Sequence, residues 1–248
     1  MRYLVISDIH ANLTAFETVL ADAKGDYDQV WCLGDVVGYG PQPNECVERL
    51  RELDHLCIAG NHDWAVLDKL DIEEFNPNAR FSILWTRDQL TPDNYNYLEN
   101  LPVNLQKETV FSLVHGSPRY PIWEYILHPQ TAQLNFDHFD RHILYCLVGH
   151  THSPVIFAEA PSPRRLCDEI VPGSDHYIHK LNSQRLIINP GSVGQPRDGD
   201  ARAAYGILDI AKMEFQIKRV SYHISEVQEL MKRYDFPARL WNRLAFGY

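Results

Sequence analysis

Apolar runs and amphipathic stretches alternate along the first 60 residues of the chain. Three runs, at 3–7 (YLVIS), 29–34 (QVWCLG) and 55–60 (HLCIAG), have the length and composition of buried strands. Two segments between them, 12–23 and 43–53, place apolar residues at helical spacing. Because strands that alternate with helices usually pair in parallel through helical crossovers, this pattern predicts an α/β fold with a partly parallel sheet.

The rest of the chain is richer in strand patterns. Residues from about 64 to 105 are mostly helical in pattern, and six strand candidates follow: TVFSLVHG, RHILYCLVGH, PVIFAEA, QRLIINPGS, AAYGILDI and FQIKRVSY. One helix at about 131–139 falls among them, a final helix covers about 224–234, and residues 160–184 are typical of a loop with an irregular hairpin. Consecutive strands without helices predict an antiparallel or mixed second sheet. We therefore expect two stacked mixed sheets with helices outside.

Composition narrows the class of protein. The 248 residues are 45% hydrophobic and 23% charged, as in a soluble globular protein, and we expect one domain over 1–248 with a helical excursion at about 64–105. No apolar run approaches the roughly 20 residues of a membrane span, and the first strand is too short for a signal peptide, so we expect a cytoplasmic protein without membrane contact. The five cysteines lack CxxC spacing, which favours reduced buried thiols over a zinc-thiolate site. A net charge of −10 makes polymeric nucleic acid an unfavourable partner.

Polar residues recur where five of the predicted strands end. They are Asp8, His10, Asp35, Asn61, His62, Asp63, His115, His150 and His152. Loops beyond the carboxyl ends of parallel strands meet in one crevice, so these side chains should lie together. Carboxylates and imidazoles without a basic residue predict a site for divalent cations. Seven candidate ligands suit two ions roughly 3.5–4 Å apart, with His150 and His152 each binding a different ion.

Each of these positions alone has an ordinary structural explanation, because a strand-end Asp commonly caps a turn and a single His is commonly hydrogen-bonded in the core. The ordered set is more specific, and it resembles the calcineurin-like metallophosphoesterase superfamily. The matching motifs are SDIH (7–10), LGDVVG (33–38), GNHD (60–63), LVHG (113–116) and GHTH (149–152). A further motif, NPGSVGQPR (189–197), resembles the small prokaryotic phosphodiesterase-like branch.

This resemblance implies a four-layer α/β/β/α sandwich, formed by residues 1–248 as a single metallophosphoesterase domain, with a two-metal site at one sheet edge. The roles it implies for the motif residues are these: Asp8, His10 and His152 bind the first metal, Asn61, His115 and His150 bind the second, Asp35 bridges both, and His62 faces the substrate. Mn, Fe and Zn all accept such a mixed set of ligands, so the metal is left open.

The expected activity is hydrolysis of a small phosphodiester or phosphomonoester by metal-activated hydroxide, with the diester favoured and His62 protonating the leaving group. A non-catalytic metal-binding scaffold of the same fold and a protein phosphatase remain as alternatives. The protein phosphatase branch carries Asp-Arg-Gly after its Gly-Asp motif, whereas residues 34–40 here are GDVVGYG. A di-metal peptidase is disfavoured because the cluster contains no glutamate.

Three residues are candidates for contact with the substrate: Arg197, Arg119 and Tyr39. Each arginine has an equally good explanation as a solvated surface residue. The segment at 190–194 (PGSVG) could offer backbone N–H groups to an anion or could form a tight turn. Asp63 is the acid nearest in sequence to His62, and what orients His62 is left open.

Overall fold

The computed structural model describes residues 1–162, 165–173 and 175–248. Within these ranges the chain forms twelve strands: β1 (Arg2–Ile6), β2 (Gln29–Cys32), β3 (His55–Cys57), β4 (Asn104–Lys107), β5 (Phe111–Val114), β6 (Tyr145–Leu147), β7 (Val155–Ala158), β8 (Asp168–Ile170), β9 (His176–Lys180), β10 (Leu186–Asn189), β11 (Ala203–Asp209) and β12 (Glu214–Val220). All nine strands that the hydrophobic pattern predicts are confirmed.

Eight α-helices occur in the same ranges: α1 (Leu13–Asp22), α2 (Pro43–Arg51), α3 (Asn61–Val66), α4 (Pro77–Gln89), α5 (Pro92–Glu99), α6 (Pro129–Phe136), α7 (Ile224–Arg233) and α8 (Ala238–Asn242). Two 3₁₀ turns cover Ile72–Glu74 and Arg243–Ala245. None of the described helices has the length and apolar character that a membrane span requires. Proline begins α2, α4, α5 and α6, where its missing N–H leaves no helical hydrogen bond unmade.

The strands form two sheets of six. The first has the order β3-β2-β1-β11-β12-β9 and the second β4-β5-β6-β10-β7-β8. Strands β1, β2 and β3 pair in parallel, as strand–helix alternation predicts, and β5, β6 and β10 also pair in parallel. The remaining pairs are antiparallel, so both sheets are mixed.

Alternation along β1 shows how the layers stack. Tyr3 and Val5 pack among residues of both sheets, whereas Leu4 and Ile6 pack against the helices on the other side. This follows from the pleat, which points successive side chains to opposite faces. On the outer face of the second sheet, α6 contributes Phe136 to a separate cluster. The result is the expected four-layer α/β/β/α sandwich, with an apolar core between the sheets and another under each helical layer.

The hairpin expected within residues 160–184 is wrong. In the described part of that segment, which leaves out positions 163, 164 and 174, β8 pairs with β7 in the second sheet and β9 pairs with β12 in the first. Both strands are sheet edges: exposed positions alternate along β9, and Asp168 and Glu169 of β8 are both exposed. Because an edge strand can be completed by any strand with free backbone groups, the local pattern holds no information about which partner it takes.

Candidate metal centre

Loops from both sheets bring the polar motif residues to one edge of the sandwich. Those that follow β1, β2 and β3 come from the first sheet, and those that follow β5 and β6 come from the second. The side chains concerned are at most 3% exposed: Asp8, His10, Asp35, Asn61, His62, His115, His150 and His152. Burial of this many ionisable groups is unfavourable unless they neutralise one another or bind an ion.

The backbone of these loops is held in an unfavourable conformation. Asp8, His10, Asp35, His150 and His152 all have φ between 49° and 66°, in the left-handed region that non-glycine residues rarely occupy. Each residue in this conformation lowers the stability of the folded state by on the order of 1 kcal/mol or more. Hydrogen bonds between the loops hold the conformation, since the Asp8 and His10 N–H groups donate to the carbonyls of Gly34 and Asp35 at 3.0 and 2.9 Å. These backbone conformations bring the five side chains together in the buried cluster.

Four side chains form the first group of possible ligands. One ligand atom from each of Asp8, His10, Asp35 and His152 lies within 4.8 Å of those of the others. His152 Nε2 is 3.2 Å from Asp8 Oδ1, and His10 Nε2 is 3.6 Å from Asp35 Oδ2. These separations are those of atoms that surround a common ion.

A second group lies beside the first and shares Asp35 with it. Ligand atoms of Asp35, His115 and His150 also lie within 4.8 Å of one another, and His115 Nε2 is 3.3 Å from Asp35 Oδ2. The Asn61 side-chain oxygen lies 3.1 Å from the same His115 nitrogen, which adds a neutral oxygen donor. Asp35 is therefore the one carboxylate common to both groups of described residues.

Backbone carbonyls set the tautomers of the four histidines. Each ring places one nitrogen against a carbonyl oxygen: His10 Nδ1 on Val37 (3.1 Å), His115 Nδ1 on Leu33 (2.8 Å), His152 Nδ1 on Gln195 (2.6 Å) and His150 Nε2 on Trp123 (3.1 Å). A carbonyl only accepts hydrogen bonds, so that nitrogen carries the proton in the neutral ring and the other presents a lone pair. Metal-binding histidines are oriented in the same way.

Several of these lone pairs face one another without a hydrogen between them. His10 Nε2 and His152 Nε2 are 3.1 Å apart, and both rings carry their proton on Nδ1. As long as the four rings are neutral, the buried Asp8 Oδ1 and Asp35 Oδ2 have no hydrogen-bond donor among the described residues. Facing lone pairs and unpaired buried carboxylate oxygens are unfavourable together. A divalent cation removes both penalties, so the residues present fit metal binding.

The charge states agree with this fit. Burial lowers the pKa of His10 and His150 well below the usual value, so these rings are neutral. Burial opposes ionisation of Asp35, but the adjacent His115 outweighs it and holds the Asp35 pKa below its ordinary range. Burial likewise opposes a charged His115, and Asp35 overcomes it and raises the pKa of His115 to about 10. A metal ion at Asp35 would displace that proton, because only the neutral ring is a ligand.

His62 stands next to this cluster but belongs to neither group of ligands. Its backbone N–H donates to Asp35 Oδ1 at 2.8 Å, and its ring lies 4.3 Å from that of Tyr39 and 4.9 Å from that of His10. Its Nδ1 is buried and has no hydrogen-bond partner among the described residues. Burial lowers the pKa of His62 to about 4. The backbone thus anchors the residue beside the cluster, and the ring packs with its Nδ1 against Gly38.

Asp63 stabilises the loop that contains Asp35. Its carboxylate accepts hydrogen bonds from the N–H groups of Asp35 (2.8 Å), Gly60 (2.9 Å) and Val37 (3.2 Å). Burial, reinforced by the negative charge of Asp35, raises the pKa of Asp63 to about 7. What holds the His62 ring is its packing against Tyr39, His10 and Phe75.

Two glycines of the motifs are required by close approach. A Cβ on Gly60 would lie 2.1 Å from Asp35 Oδ1, and a Cβ on Gly149 would lie 2.0 Å from Ser7 Oγ. Both distances are far inside van der Waals contact, and both glycines border the ligands. This gives GNHD and GHTH a steric reason to begin with glycine.

Comparison with known proteins identifies the family. A family model described as the calcineurin-like phosphoesterase superfamily domain matches residues 1–213. The chain belongs to the calcineurin-like phosphoesterase superfamily. It is 38% identical to an uncharacterized protein of Methanocaldococcus jannaschii over 98% of this chain and 97% of that one. The crystal structure of a metallophosphoesterase from Sphaerobacter thermophilus matches with a TM-score of 0.90 and 46% identity, covering 100% of this chain and 99% of the other.

A more distant relative is the symmetrical bis(5'-nucleosyl)-tetraphosphatase of Glaesserella parasuis. It is 28% identical over 131 residues, which are 50% of this chain and 47% of that protein. The superfamily and the structural likeness confirm the fold that the motifs predict. They also support a metal-dependent phosphoric ester hydrolase with a potential metal-binding site.

Within this superfamily member, the loop at 190–194 braces the metal centre. The Val193 and Gly194 N–H groups donate to the carbonyls of Ser7 and Asp8 at 3.0 and 2.9 Å, and the Ser192 hydroxyl also donates to Asp8 at 2.9 Å. These two N–H groups are therefore used inside the protein. Of the two alternatives for this segment, anion binding by the backbone is therefore disfavoured at Val193 and Gly194.

A cavity of about 330 Å³ lies beside the cluster, lined by Tyr39, Asn76, Pro77, Asn78, Tyr125, Arg197, Arg239, Leu240 and Arg243. Tyr125 stacks on His150 with ring centroids 3.7 Å apart, and Tyr39 contacts the rings of His10 and His62. The Arg197 N–H donates to the His152 carbonyl at 3.2 Å. The cavity wall is thus built on the candidate ligands.

Of the three residues expected to contact substrate, two line this cavity and one does not. Tyr39 and Arg197 are in its wall, with the Arg197 guanidinium 5.5 Å from the Tyr39 ring centroid. Arg119 instead pairs with Glu124, whose carboxylate also accepts from Asn135. The sequence analysis missed Arg239 and Arg243. Their spacing of four residues, which puts two arginines on one helical face, was the available signal.

Proposed function

We propose that this protein hydrolyses a small phosphate ester, with phosphodiesters favoured, at a centre of two divalent metal ions. One observation carries the proposal: two groups of buried ligand atoms, each within 4.8 Å, share a single carboxylate, Asp35. A lone structural ion would need only one such group. Two adjacent sites with a common acid suit hydrolysis of a phosphate ester.

The assignment of ligands follows the two groups. Asp8, His10 and His152 would hold the first ion. Asn61, His115 and His150 would hold the second, and Asp35 would contribute to both. When bound, the ions would lower the pKa of a coordinated water and neutralise phosphoryl oxygens. Mixed oxygen and imidazole donors without thiolate suit Mn, Fe or Zn.

His62 is assigned the leaving-group side of the reaction. Its backbone anchor on Asp35 and its contact with Tyr39, a residue of the cavity wall, support a ring that meets the substrate. From that position the imidazole can donate a hydrogen bond to the ester oxygen that departs. Arg197 and Tyr39 bind the substrate from the cavity wall, and Arg119 takes no part because Glu124 pairs with it.

Two observations favour a diester over a phosphoprotein. Residues 36–40 are VVGYG, so the Asp-Arg-Gly that the protein phosphatase branch carries after its Gly-Asp motif is absent, and this loop supplies no arginine to grip a phosphate dianion. The Glaesserella parasuis relative is, by its name, an enzyme that acts on a bis-nucleosyl tetraphosphate. Every motif position is filled, His62 included, which speaks against a non-catalytic scaffold.

Turnover of two chromogenic substrates tests the proposal. Purified protein with Mn²⁺, Zn²⁺ or Fe²⁺ is assayed on bis-p-nitrophenyl phosphate and on p-nitrophenyl phosphate. We expect hydrolysis of both and a higher kcat/KM for the diester. Absence of turnover with all three metals, in protein shown by mass spectrometry to contain two ions per chain, would contradict the proposal and favour the scaffold.

A further inference from the structure

Three arginines converge on the cavity beside the metal centre. Arg197 comes from the loop after β10, Arg239 from α8, and Arg243 from the turn that continues α8. Arg239 and Arg243 are four residues apart and so share one helical face. Both lie beyond residue 213, where the match to the superfamily domain ends. This part of the cavity is therefore formed by residues outside the matched range.

No acidic side chain of the described residues pairs with these three guanidinium groups. Arg197 Nη2 donates to the neutral Gln195 Oε1 at 2.8 Å, and its buried Nε has no partner in the described ranges. Arg243 Nε donates to the main-chain oxygen of Tyr248, the last residue of the given sequence. Arg239 makes no side-chain ion pair within the same ranges.

This absence of acids contrasts with the rest of a chain whose net charge is −10. Arg202 pairs with Asp200 and Asp175, and Arg219 pairs with Asp198 and with Asp200. Acids are therefore plentiful and are used elsewhere to neutralise arginine. Their exclusion from this cavity leaves a concentrated positive charge next to a centre built of carboxylates and neutral imidazoles.

The concentration of charge is energetically unfavourable in the free protein. Burial, with added repulsion from Arg197 and Arg239, lowers the pKa of Arg243 to about 10. Guanidinium groups suit planar, multidentate contact with phosphate oxygens. An anion with two or more charges would offset the repulsion, and a single carboxylate would offset only part of it.

We infer that the arginine cavity binds a second phosphate of the substrate, one that is not cleaved, so that the substrate is a polyphosphorylated ester. The inference rests on the proposed function. Tyr39 and Tyr125 line the cavity and also contact histidines of the metal centre, which makes the two places neighbours. In this arrangement the reacting phosphate lies at the metal centre, and the next phosphate of the substrate contacts Arg197, Arg239 and Arg243.

A kinetic comparison of two esters tests this inference. The p-nitrophenyl esters of thymidine 5'-monophosphate and of thymidine 5'-triphosphate, esterified at the terminal phosphorus, share leaving group and nucleoside and differ in the number of phosphates. We expect R239A/R243A to reduce the ratio of kcat/KM for the triphosphate ester over the monophosphate ester about tenfold or more, mainly through KM. R239K/R243K should restore part of the ratio. R141A/R233A, which removes two exposed arginines outside the cavity, should leave it unchanged.

Binding of tripolyphosphate, measured by calorimetry on the full chain with Mn²⁺, separates this inference from the proposed function. Tripolyphosphate affinity should fall about tenfold or more in R239A/R243A and not in R141A/R233A. If neither ester is hydrolysed but this loss occurs, the arginine site stands and the phosphoesterase proposal fails. An equal kinetic loss on both esters, no loss on either, or the same loss in R141A/R233A would overturn the inference.

Discussion

The metal centre and the arginine cavity adjoin each other and are built in opposite ways. The candidate ligands of the centre are at most 3% exposed, come from loops directly after strands, and combine carboxylates with imidazoles. The cavity is open, is lined by three arginines without acidic partners among the described residues, and takes two of them from the C-terminal segment.

This contrast suits two different tasks, catalysis at the proposed metal centre and recognition of the substrate in the cavity. A metal centre has to hold its ligands within tenths of an ångström, which requires strained loops anchored on two sheets. A cavity that selects a substrate can be assembled from a short helix at the end of the chain. The residues of the centre lie within the part of the chain that the superfamily model matches, whereas Arg239 and Arg243 lie outside it.

Asp35→Asn tests the centre most severely. We expect loss of metal from both sites and a decrease in kcat/KM on the order of 10³-fold or more, because Asp35 is common to both ligand groups. Metal content by mass spectrometry and turnover of bis-p-nitrophenyl phosphate are the measurements. Asp88→Asn, at an exposed position, is the matched control. Retention of both ions in Asp35→Asn would break the assignment of a shared carboxylate.

His62→Ala should separate rate from metal binding. We expect kcat to fall about 10²- to 10⁴-fold, the range of a general acid or base, while two ions remain bound. The reason is that His62 adjoins the cluster but belongs to neither ligand group. His142→Ala, at an exposed position, is the control. Loss of metal from His62→Ala would show that the ring has a structural part in the centre.

Asp63→Asn should weaken the centre without touching a ligand side chain. One carboxylate accepts three backbone N–H groups here, and an amide has a single acceptor oxygen. We expect metal affinity to fall about 10- to 100-fold, as for other groups that support a metal ligand. Mn²⁺ titration followed by calorimetry measures it, with thermal unfolding as a check on folding. Unchanged affinity would mean that the Asp35 loop keeps its form without this brace.

Arg197→Ala should weaken substrate binding and leave metal binding intact. It therefore tests whether the cavity and the metal centre act separately. We expect KM for bis-p-nitrophenyl phosphate to rise about tenfold, with metal content unchanged, because the guanidinium lies in the cavity wall. Arg119→Ala is the matched control, since Glu124 already neutralises that side chain. Equal increases in KM for the two variants would remove the distinction between these arginines.

Much of the centre could be predicted from local sequence. Asp8 and Asp35 each follow an apolar run, and the loops after parallel strands meet at one edge whatever the details of packing. The glycines of the short motifs have a steric reason, because a Cβ at Gly60 or Gly149 would clash with residues at the centre. For these reasons the fold and the group of clustered residues were determined by the sequence before any coordinates.

Only the tertiary structure decided how distant segments meet. It placed β8 and β9 in different sheets, and it made the Asp63 carboxylate a hydrogen-bond acceptor for the Asp35 loop. It also paired Arg119 with Glu124 and brought Arg239 and Arg243 to the cavity beside the centre. Each of these outcomes depends on which of several chemically equivalent partners lies within reach. Hydrophobic periodicity specifies which face of an element is buried but not what it is buried against, and that choice belongs to the packed molecule.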